Sequence, residues 1–116
     1  MKMTIKKVMA AAMAVALLAV AQPVSAQSSV FGRVQAFQTL SSTVWLSAGR
    51  HRVVVDGDGD TDLDLYVYDQ RGRLLAVDDD LTDYCIGEFY LPAGGYVRIV
   101  IENLGSVWNE YELRIR

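Results

Sequence analysis

The stretch VVVDGDGDTDLDLYVYD, residues 53–69, places six aspartates within seventeen positions. In its second half, Leu63, Leu65 and Val67 occupy alternate positions, and aspartate or tyrosine fills the positions between them. Alternation with a period of two predicts a β-strand that has one apolar face and one polar face. The stretch therefore predicts a core strand whose opposite face begins with carboxylates.

The residues after this strand predict a hairpin that brings further acids alongside. Residues 69–72, DQRG, suit a type I turn followed by a glycine at positive φ. Counting back from this turn predicts that Asp64 lies opposite Asp78 and Asp62 lies opposite Asp80. A slip of one residue would instead pair Asp64 with Asp79. Opposed residues lie about 5 Å apart at Cβ, so the stacked carboxylates would repel unless a cation lay between them.

A cluster of carboxylates without histidine or cysteine favours a hard cation with oxygen ligands, and Ca²⁺ is the first choice. The candidate metal ligands are Asp60, Asp62, Asp64, Asp78, Asp79, Asp80 and Asp83. The run DGDGDTD resembles the start of an EF-hand loop, but Leu63 and Asp69 occupy the positions of its glycine and its last glutamate. The alternative is that these aspartates are solvated turn residues or cap loop amides.

The remaining chain predicts an all-β fold. Short alternating segments separated by turn residues recur up to the last residue, and about seven of them are recognisable. This spacing is typical of an antiparallel β-sandwich. Residues 27–42 are ambiguous, because Phe31, Val34, Phe37 and Leu40 fit a helical spacing while the same segment permits a strand. We expect extended structure there.

Residues 1–26 have the organisation of a secretory signal peptide. Three lysines precede an apolar run over residues 8–21, and the sequence VSA ends at Ala26. A membrane anchor is the alternative, but fourteen residues give about 21 Å of helix against a hydrocarbon core of about 30 Å. We therefore expect a single domain over residues 27–116 that is secreted or periplasmic and has no membrane contact after cleavage.

The charge of this domain differs from that of the whole chain. All three lysines lie in residues 1–26, which leaves eight arginines against fourteen acidic residues, a net charge of −6 rather than −3. An acidic surface argues against nucleic acid or an anionic membrane as partners.

Three further features bear on function. The only cysteine, Cys85, is in phase with Phe89 and Leu91, which predicts a buried thiol rather than a nucleophile. His51 lies among strand residues and predicts no catalytic pair. Tyr66 and Tyr68 share the aspartate face, where they suit a flat surface for an extended peptide or a glycan, or pack against a loop.

Several motifs occur in an order and spacing that resemble a known family. They are GDGDTDLDLYVYDQRGRLLAVDDDLTDYC (57–85), YVRIVIENLG (96–105) and NEYEL (109–113). Together they are similar to the bacterial pre-peptidase C-terminal domain, over about residues 48–113. The resemblance implies a jelly-roll β-sandwich of seven to eight strands, similar to the collagen-binding modules of bacterial collagenases. It also implies a non-catalytic role in secretion, adhesion or substrate targeting, with calcium bound in some members.

Two functional hypotheses follow. The first is a secreted, Ca²⁺-stabilised binding or adhesion module for extracellular protein or polysaccharide. The second is an envelope or secretion accessory protein that partners a separately encoded peptidase without any dependence on metal. An enzyme is the third hypothesis and is not favoured, because it would need an activity that is lost on a single carboxylate substitution while the fold stays intact.

Overall fold

The alternating pattern forms strands through the whole of the described chain. The computed structural model describes residues 28–116, and the predicted signal peptide lies outside them. The strands are β1 (Ser28–Val34), β2 (Thr39–Leu46), β3 (Gly49–Asp56), β4 (Leu63–Asp69), β5 (Leu74–Asp78), β6 (Tyr84–Leu91), β7 (Gly95–Asn103) and β8 (Asn109–Ile115). No helix within residues 28–116 is long and apolar enough to cross a membrane.

These strands form two four-stranded antiparallel sheets. Sheet I has the order β1-β8-β3-β6, and sheet II has the order β2-β7-β4-β5. Successive strands mostly alternate between the sheets, as in an eight-stranded jelly roll with two Greek keys. The predicted all-β sandwich of jelly-roll type is therefore confirmed, with eight strands.

The ambiguous segment before residue 42 is extended, as expected. Strands β1 and β2 are joined by a short turn in which Phe37 has a φ of 58°. The helical spacing does not mark a helix face, because Phe31 and Phe37 are exposed, whereas Val34 is buried in the core. The apolar positions of this segment therefore do not share one face.

The core lies between the two sheets and follows the period-two pattern. Leu63, Leu65 and Val67 of β4 are completely buried, as predicted. Each such side chain contributes about 1.5–3 kcal/mol through removal from water. Asn103 is buried among them, and its amide donates to the carbonyls of Gln35 and Val107 at 3.0 and 2.9 Å. This asparagine thereby joins the β1–β2 turn to the β7–β8 loop.

The loops gather at the two ends of the sandwich. One end, the acidic end, carries the loops 35–38, 57–62, 79–83 and 104–108. The opposite end, the arginine end, carries the turns 47–48, 70–73 and 92–94 together with Arg116. Because the strands are antiparallel, all of the connecting loops lie at one or the other end of the sandwich. Aspartates that are distant in sequence therefore lie close together at the acidic end.

Candidate functional site

The hairpin between β4 and β5 begins as predicted but then shifts register. Asp69 N–H donates to the Arg73 carbonyl at 2.9 Å, and Gly72 has a φ of 83°. Tyr68 pairs with Leu74, but the next pair is Val67 with Ala76, so Leu75 is an extra residue in a β-bulge. The predicted pairing of Asp64 with Asp78 and of Asp62 with Asp80 is therefore wrong. The observed register, with Leu65 opposite Asp78, is that of the alternative one-residue slip, which brings Asp79 next to Asp64.

The bulge gives Asp78 a different environment from the predicted one. Asp78 lies opposite Leu65, on the core-facing parity of sheet II. Its Oδ2 accepts a hydrogen bond from Ile86 N–H at 2.9 Å, at the edge of sheet I. Asp78 therefore links the edge strands of the two sheets, which also protects an exposed strand edge from pairing with another chain.

Asp83 anchors the acidic end through its hydrogen bonds. Its Oδ2 accepts from Gly59 N–H at 2.6 Å and from the Asn109 amide at 2.8 Å. Its carbonyl accepts from Gly57 N–H at 2.9 Å, and a Cβ at Gly57 would collide with the Asp83 carboxylate. A side chain at residue 57 would displace this carboxylate, so the glycine is required by packing.

Two more aspartates also accept backbone hydrogen bonds. Asp58 Oδ2 accepts from Glu110 N–H at 2.9 Å, which ties the β3–β4 loop to β8. Asp80 Oδ1 accepts from the N–H and the hydroxyl of Thr82, both at 2.9 Å. Asp80 therefore caps a loop amide, as the alternative interpretation of the sequence anticipated, whereas Asp58 accepts from a strand amide.

Asp62 and Asp64 differ from this group, because each leaves a buried carboxylate oxygen, Oδ1, without a hydrogen-bond partner in the protein. Asp64 is only 5% exposed, and its Oδ2 has one long contact, 3.4 Å from the Tyr66 hydroxyl. Burial and the neighbouring charge of Asp62 raise the pKa of Asp64 from 3.8 to about 6. Burial also raises the pKa of Asp62, and Asp80 and Asp83 add to the effect.

Glu102 is a member of this acidic group that sequence reasoning missed. It lies on β7 directly opposite Asp64 of β4, and its charge also raises the pKa of Asp64. Like charges opposed across a ladder destabilise a sheet. The sequence signal that could have identified it is its position in β7. Glu102 is out of phase with the core residues Ile99 and Ile101, so its side chain must face outward.

The seven predicted ligands therefore fall into different environments. Asp78, Asp80 and Asp83 accept backbone or amide hydrogen bonds, and Asp60 and Asp79 lie at exposed loop positions. Within residues 28–116, no three acidic, histidine or cysteine side chains are grouped as around a metal ion. The two unpartnered oxygens of Asp62 and Asp64 are the atoms that best suit a cation, so metal binding at this position stays a prediction.

A second candidate site is the outer face of sheet II, called the tyrosine face and defined by Trp45, Tyr66, Tyr68, Tyr96 and Arg98. Tyr66 and Tyr68 lie opposite the core face of β4, as expected, with ring centroids 6.5 Å apart. The Arg98 guanidinium lies 4.5 Å from the Tyr68 ring centroid. Tyr96 is 43% exposed. Rings held by neighbouring strands form a flat surface that can contact a ligand at little entropic cost.

A shallow groove of about 300 Å³ adjoins this face at the arginine end. Thr43, Gln70, Tyr96 and Arg98 contribute to its walls. The Gln70 amide oxygen accepts from Tyr96 N–H at 3.2 Å, so the hairpin turn is held against β7. The groove offers a hydroxyl, an amide and a guanidinium beside an aromatic ring, which suits both peptide and sugar.

The two residues considered for nucleophilic chemistry are engaged elsewhere. Cys85 is completely buried, as predicted, and its thiol donates to the Leu63 carbonyl at 3.1 Å. Burial, followed by the charges of Asp78 and Asp80, raises the pKa of this thiol to about 12. The His51 Nε2 donates to the Ser47 carbonyl at 2.7 Å. Neither side chain has the other as a partner, and a thiol with this pKa is not a nucleophile at neutral pH.

Comparison with known proteins gives structural likeness only. No family model matches the sequence, and no curated protein is significantly similar to it. The pre-peptidase C-terminal domain of a collagenase from Bacillus anthracis is similar in structure, with a TM-score of 0.65 at 11% identity, over 84% of this chain and 95% of that domain.

Two further solved structures share the architecture. The Yersinia pseudotuberculosis-derived mitogen matches with a TM-score of 0.61 at 15% identity, over 79% of this chain and 86% of the mitogen. The Aeromonas hydrophila periplasmic inhibitor of g-type lysozyme matches with a TM-score of 0.57 at 15% identity, over 83% of this chain and 94% of the inhibitor. At such low identity these likenesses show the fold alone. This chain therefore has the jelly-roll sandwich fold of the pre-peptidase C-terminal domain, which its sequence motifs predicted.

Proposed function

We propose that this protein is a secreted or periplasmic, non-catalytic binding module that contacts an extracellular protein or polysaccharide through the tyrosine face. The observation that carries the proposal is the arrangement of Tyr66, Tyr68 and Tyr96 with Arg98 on one outer sheet face. Aromatic and arginine side chains held in this way are typical of the central residues of binding surfaces.

A binding role rather than catalysis is supported by the environments of the reactive side chains. The Cys85 thiol is buried, and the His51 ring donates to a backbone carbonyl. The carboxylates with raised pKa, Asp62 and Asp64, lie at the end of the sandwich beside capped loops. The fold shared with a domain of a collagenase also supports a module that acts beside an enzyme.

Calcium binding at the acidic end is the second part of the proposal. Asp62 and Asp64 would hold Ca²⁺ through the buried oxygens that have no hydrogen-bond partner. Burial raises the pKa of Asp64, and the repulsion from Asp62 and Glu102 adds to this effect, so a cation there would offset that repulsion. Ca²⁺ accepts carboxylate oxygens in irregular geometry, so it tolerates a site formed by a strand and a loop.

The fold shared with a collagenase domain makes a triple-helical collagen peptide the first protein probe, and neutral glucans are the first polysaccharide probes. Tyr68→Ala should weaken the binding of the recognised probe about tenfold or more, since a central aromatic contributes about 2 kcal/mol. The matched control is Phe31→Ala, which removes an exposed aromatic (58%) from the outer face of sheet I. Binding is measured by titration of the tryptophan fluorescence, to which Trp45 and Trp108 both contribute, and by calorimetry.

The outcomes separate the two functional hypotheses. Equal losses in Tyr68→Ala and Phe31→Ala would contradict the assignment of the tyrosine face. If neither probe binds, capture from culture supernatant provides the next test. Recovery of one stoichiometric protein with and without EDTA would favour the accessory protein of a separate peptidase over the calcium-stabilised module.

A further inference from the structure

The positive side chains are concentrated at one end of the sandwich, although the domain is acidic as a whole. The arginine end and the adjoining strand positions carry Arg50, Arg52, Arg71, Arg73, Arg98 and Arg116. These six arginines face only two acidic residues, Asp69 and Glu88, so the side chains of this region carry a net charge of +4. The remainder of residues 28–116 has two arginines against twelve acidic residues, a net charge of −10.

Three of these arginines surround one cavity. A cavity of about 270 Å³ on the sheet I side is lined by Arg50, His51, Arg52, Glu88, Phe89 and Arg116. Arg52 and Arg116 are direct cross-strand partners, because their backbones exchange hydrogen bonds of 2.8 and 3.0 Å. Since Arg50 precedes Arg52 by two residues on β3, all three side chains leave the same face of the sheet.

The arginines of this cavity differ in how they are held. The Arg52 guanidinium donates from Nε and Nη2 to Glu88 Oε2, at 2.8 and 2.6 Å, which orients its planar group. Within the described part of the chain, Arg50 and Arg116 form no ion pair. His51 lies between Arg50 and Arg52 on β3 and lines the cavity, and its Nε2 donates to the Ser47 carbonyl.

We propose that this cavity, called the arginine cavity, binds the carboxylate or sulfate group of an acidic polysaccharide. Guanidinium groups match the geometry of such oxyanions and can donate two parallel hydrogen bonds to them. Tyr90 is 58% exposed and lies opposite Arg50 across the β3–β6 ladder, where its ring can pack against a sugar. The arginine cavity lies on the opposite sheet from the tyrosine face, so binding at either site can be tested without the other.

An acidic polysaccharide fits this cavity better than nucleic acid does. A duplex carries closely spaced phosphates and binds to a long line of cations. Here the cationic surface is short, Glu88 lies within it, and the opposite end of the molecule is strongly acidic. A polysaccharide with one acidic group per sugar presents a lower charge density and needs only a few arginines.

The experiment compares retention on immobilised dextran sulfate and polygalacturonate with retention on uncharged dextran, at about 100 mM salt. We expect retention on both acidic polymers and none on dextran. Arg50→Ala should weaken binding about tenfold, because a charge-assisted contact of this kind is lost. The matched control is Arg71→Ala, which changes the net charge equally from the exposed hairpin turn at the same end.

Several results would overturn the proposal. The first is absence of retention on both acidic polymers, and the second is an equal loss in Arg50→Ala and Arg71→Ala, which would mean that bulk charge alone is responsible. Tighter binding to double-stranded DNA than to polygalacturonate at the same salt would assign the cavity to nucleic acid instead. Arg50 forms no ion pair within residues 28–116, so the Arg50→Ala variant is expected to fold. Tyr68→Ala must leave polygalacturonate binding unchanged, which separates this site from the tyrosine face.

Discussion

Asp83 and Asp64 lie at the same end of the sandwich, yet their carboxylates have opposite relations to the fold. Asp83 accepts hydrogen bonds from a loop amide and from the Asn109 side chain. Asp64 is more deeply buried, has one long contact with Tyr66, and lies opposite Glu102. The difference teaches that a cluster of acids in sequence can divide into carboxylates that stabilise the fold and carboxylates that destabilise it.

The largest expected effect comes from removing the stabilising carboxylate. Asp83→Ala leaves Gly59 N–H without its acceptor and removes one of the two acceptors of the Asn109 amide, at an expected cost of about 3 kcal/mol in the free energy of unfolding. For a domain of this size, that corresponds to a decrease in Tm of roughly 15 °C. Thermal unfolding followed by circular dichroism measures it. Asp83→Asn keeps one acceptor oxygen and should lose less, whereas an unchanged Tm in Asp83→Ala would remove the basis of the comparison.

The second effect tests the calcium proposal at the other carboxylate. If Asp62 and Asp64 hold Ca²⁺, a concentration of one hundred times Kd should raise the free energy of unfolding by about 2.7 kcal/mol, and EDTA should reverse the change. Asp64→Asn should abolish this response. Glu88→Gln, which makes the same change in charge at the arginine end, should retain it. No change in Tm at millimolar Ca²⁺ would reject the calcium site.

The third effect is a dependence of stability on pH in the presence of EDTA. The pKa of Asp64 is about 6 in the folded state against 3.8 ordinarily, so the folded state holds this proton more tightly than the unfolded state. The stability that the protonated Asp64 side chain confers is complete below about pH 4, and it is lost as the pH rises through about 6. Asp64→Asn should remove this slope and be more stable than wild type at pH 7.5 by about 1 kcal/mol after allowance for solvent screening.

Urea unfolding at pH 4, 5, 6 and 7.5 measures this effect as the difference between wild type and Asp64→Asn. The difference is required because other groups titrate in the opposite sense. The pKa of Asp69, for example, is lowered by hydrogen bonds from Arg73 and Arg71. Parallel pH profiles for the two proteins would mean that Asp64 is not a destabilising charge.

The smallest expected effect belongs to an aspartate that is neither buried nor engaged in capping. Asp79 is exposed, and its charge contributes to the raised pKa of Asp64. Asp79→Asn should therefore stabilise the protein slightly, by no more than about 0.5 kcal/mol at neutral pH. The same urea titration measures it. A large destabilisation would show that Asp79 belongs with Asp83 rather than with the repelling group.

The fold was predictable from the sequence because its signals are local. Alternation in β4 identified Leu63, Leu65 and Val67 as core residues, and DQRG identified the hairpin turn, which depends on the positive φ of Gly72. These features rest on side-chain period and on backbone sterics within a few residues. The buried state of Cys85 followed from the same period.

The candidate site was only partly predictable. The bulge at Leu75 contains no glycine or other turn residue from which it could be predicted. Because of this one extra residue, Asp78 does not lie opposite Asp64 and instead accepts a hydrogen bond from β6. Glu102 lies 38 positions after Asp64 in the sequence, and only the placement of β7 beside β4 makes them neighbours. Long-range pairing of this kind is decided by how whole sheets pack and not by local preference.

The sequence by itself determined the strand pattern, the core positions, the jelly-roll likeness and the excess of negative charge. Only the tertiary structure decided which aspartates accept hydrogen bonds, which repel one another, and where the arginines gather. Composition fixes the sum of the charges, whereas the energy of each charge depends on its distances, its burial and its partners. Those quantities are set only when the eight strands have brought distant residues together. The sequence of residues 53–69 therefore predicted its own strand, but it did not predict which residues its carboxylates contact.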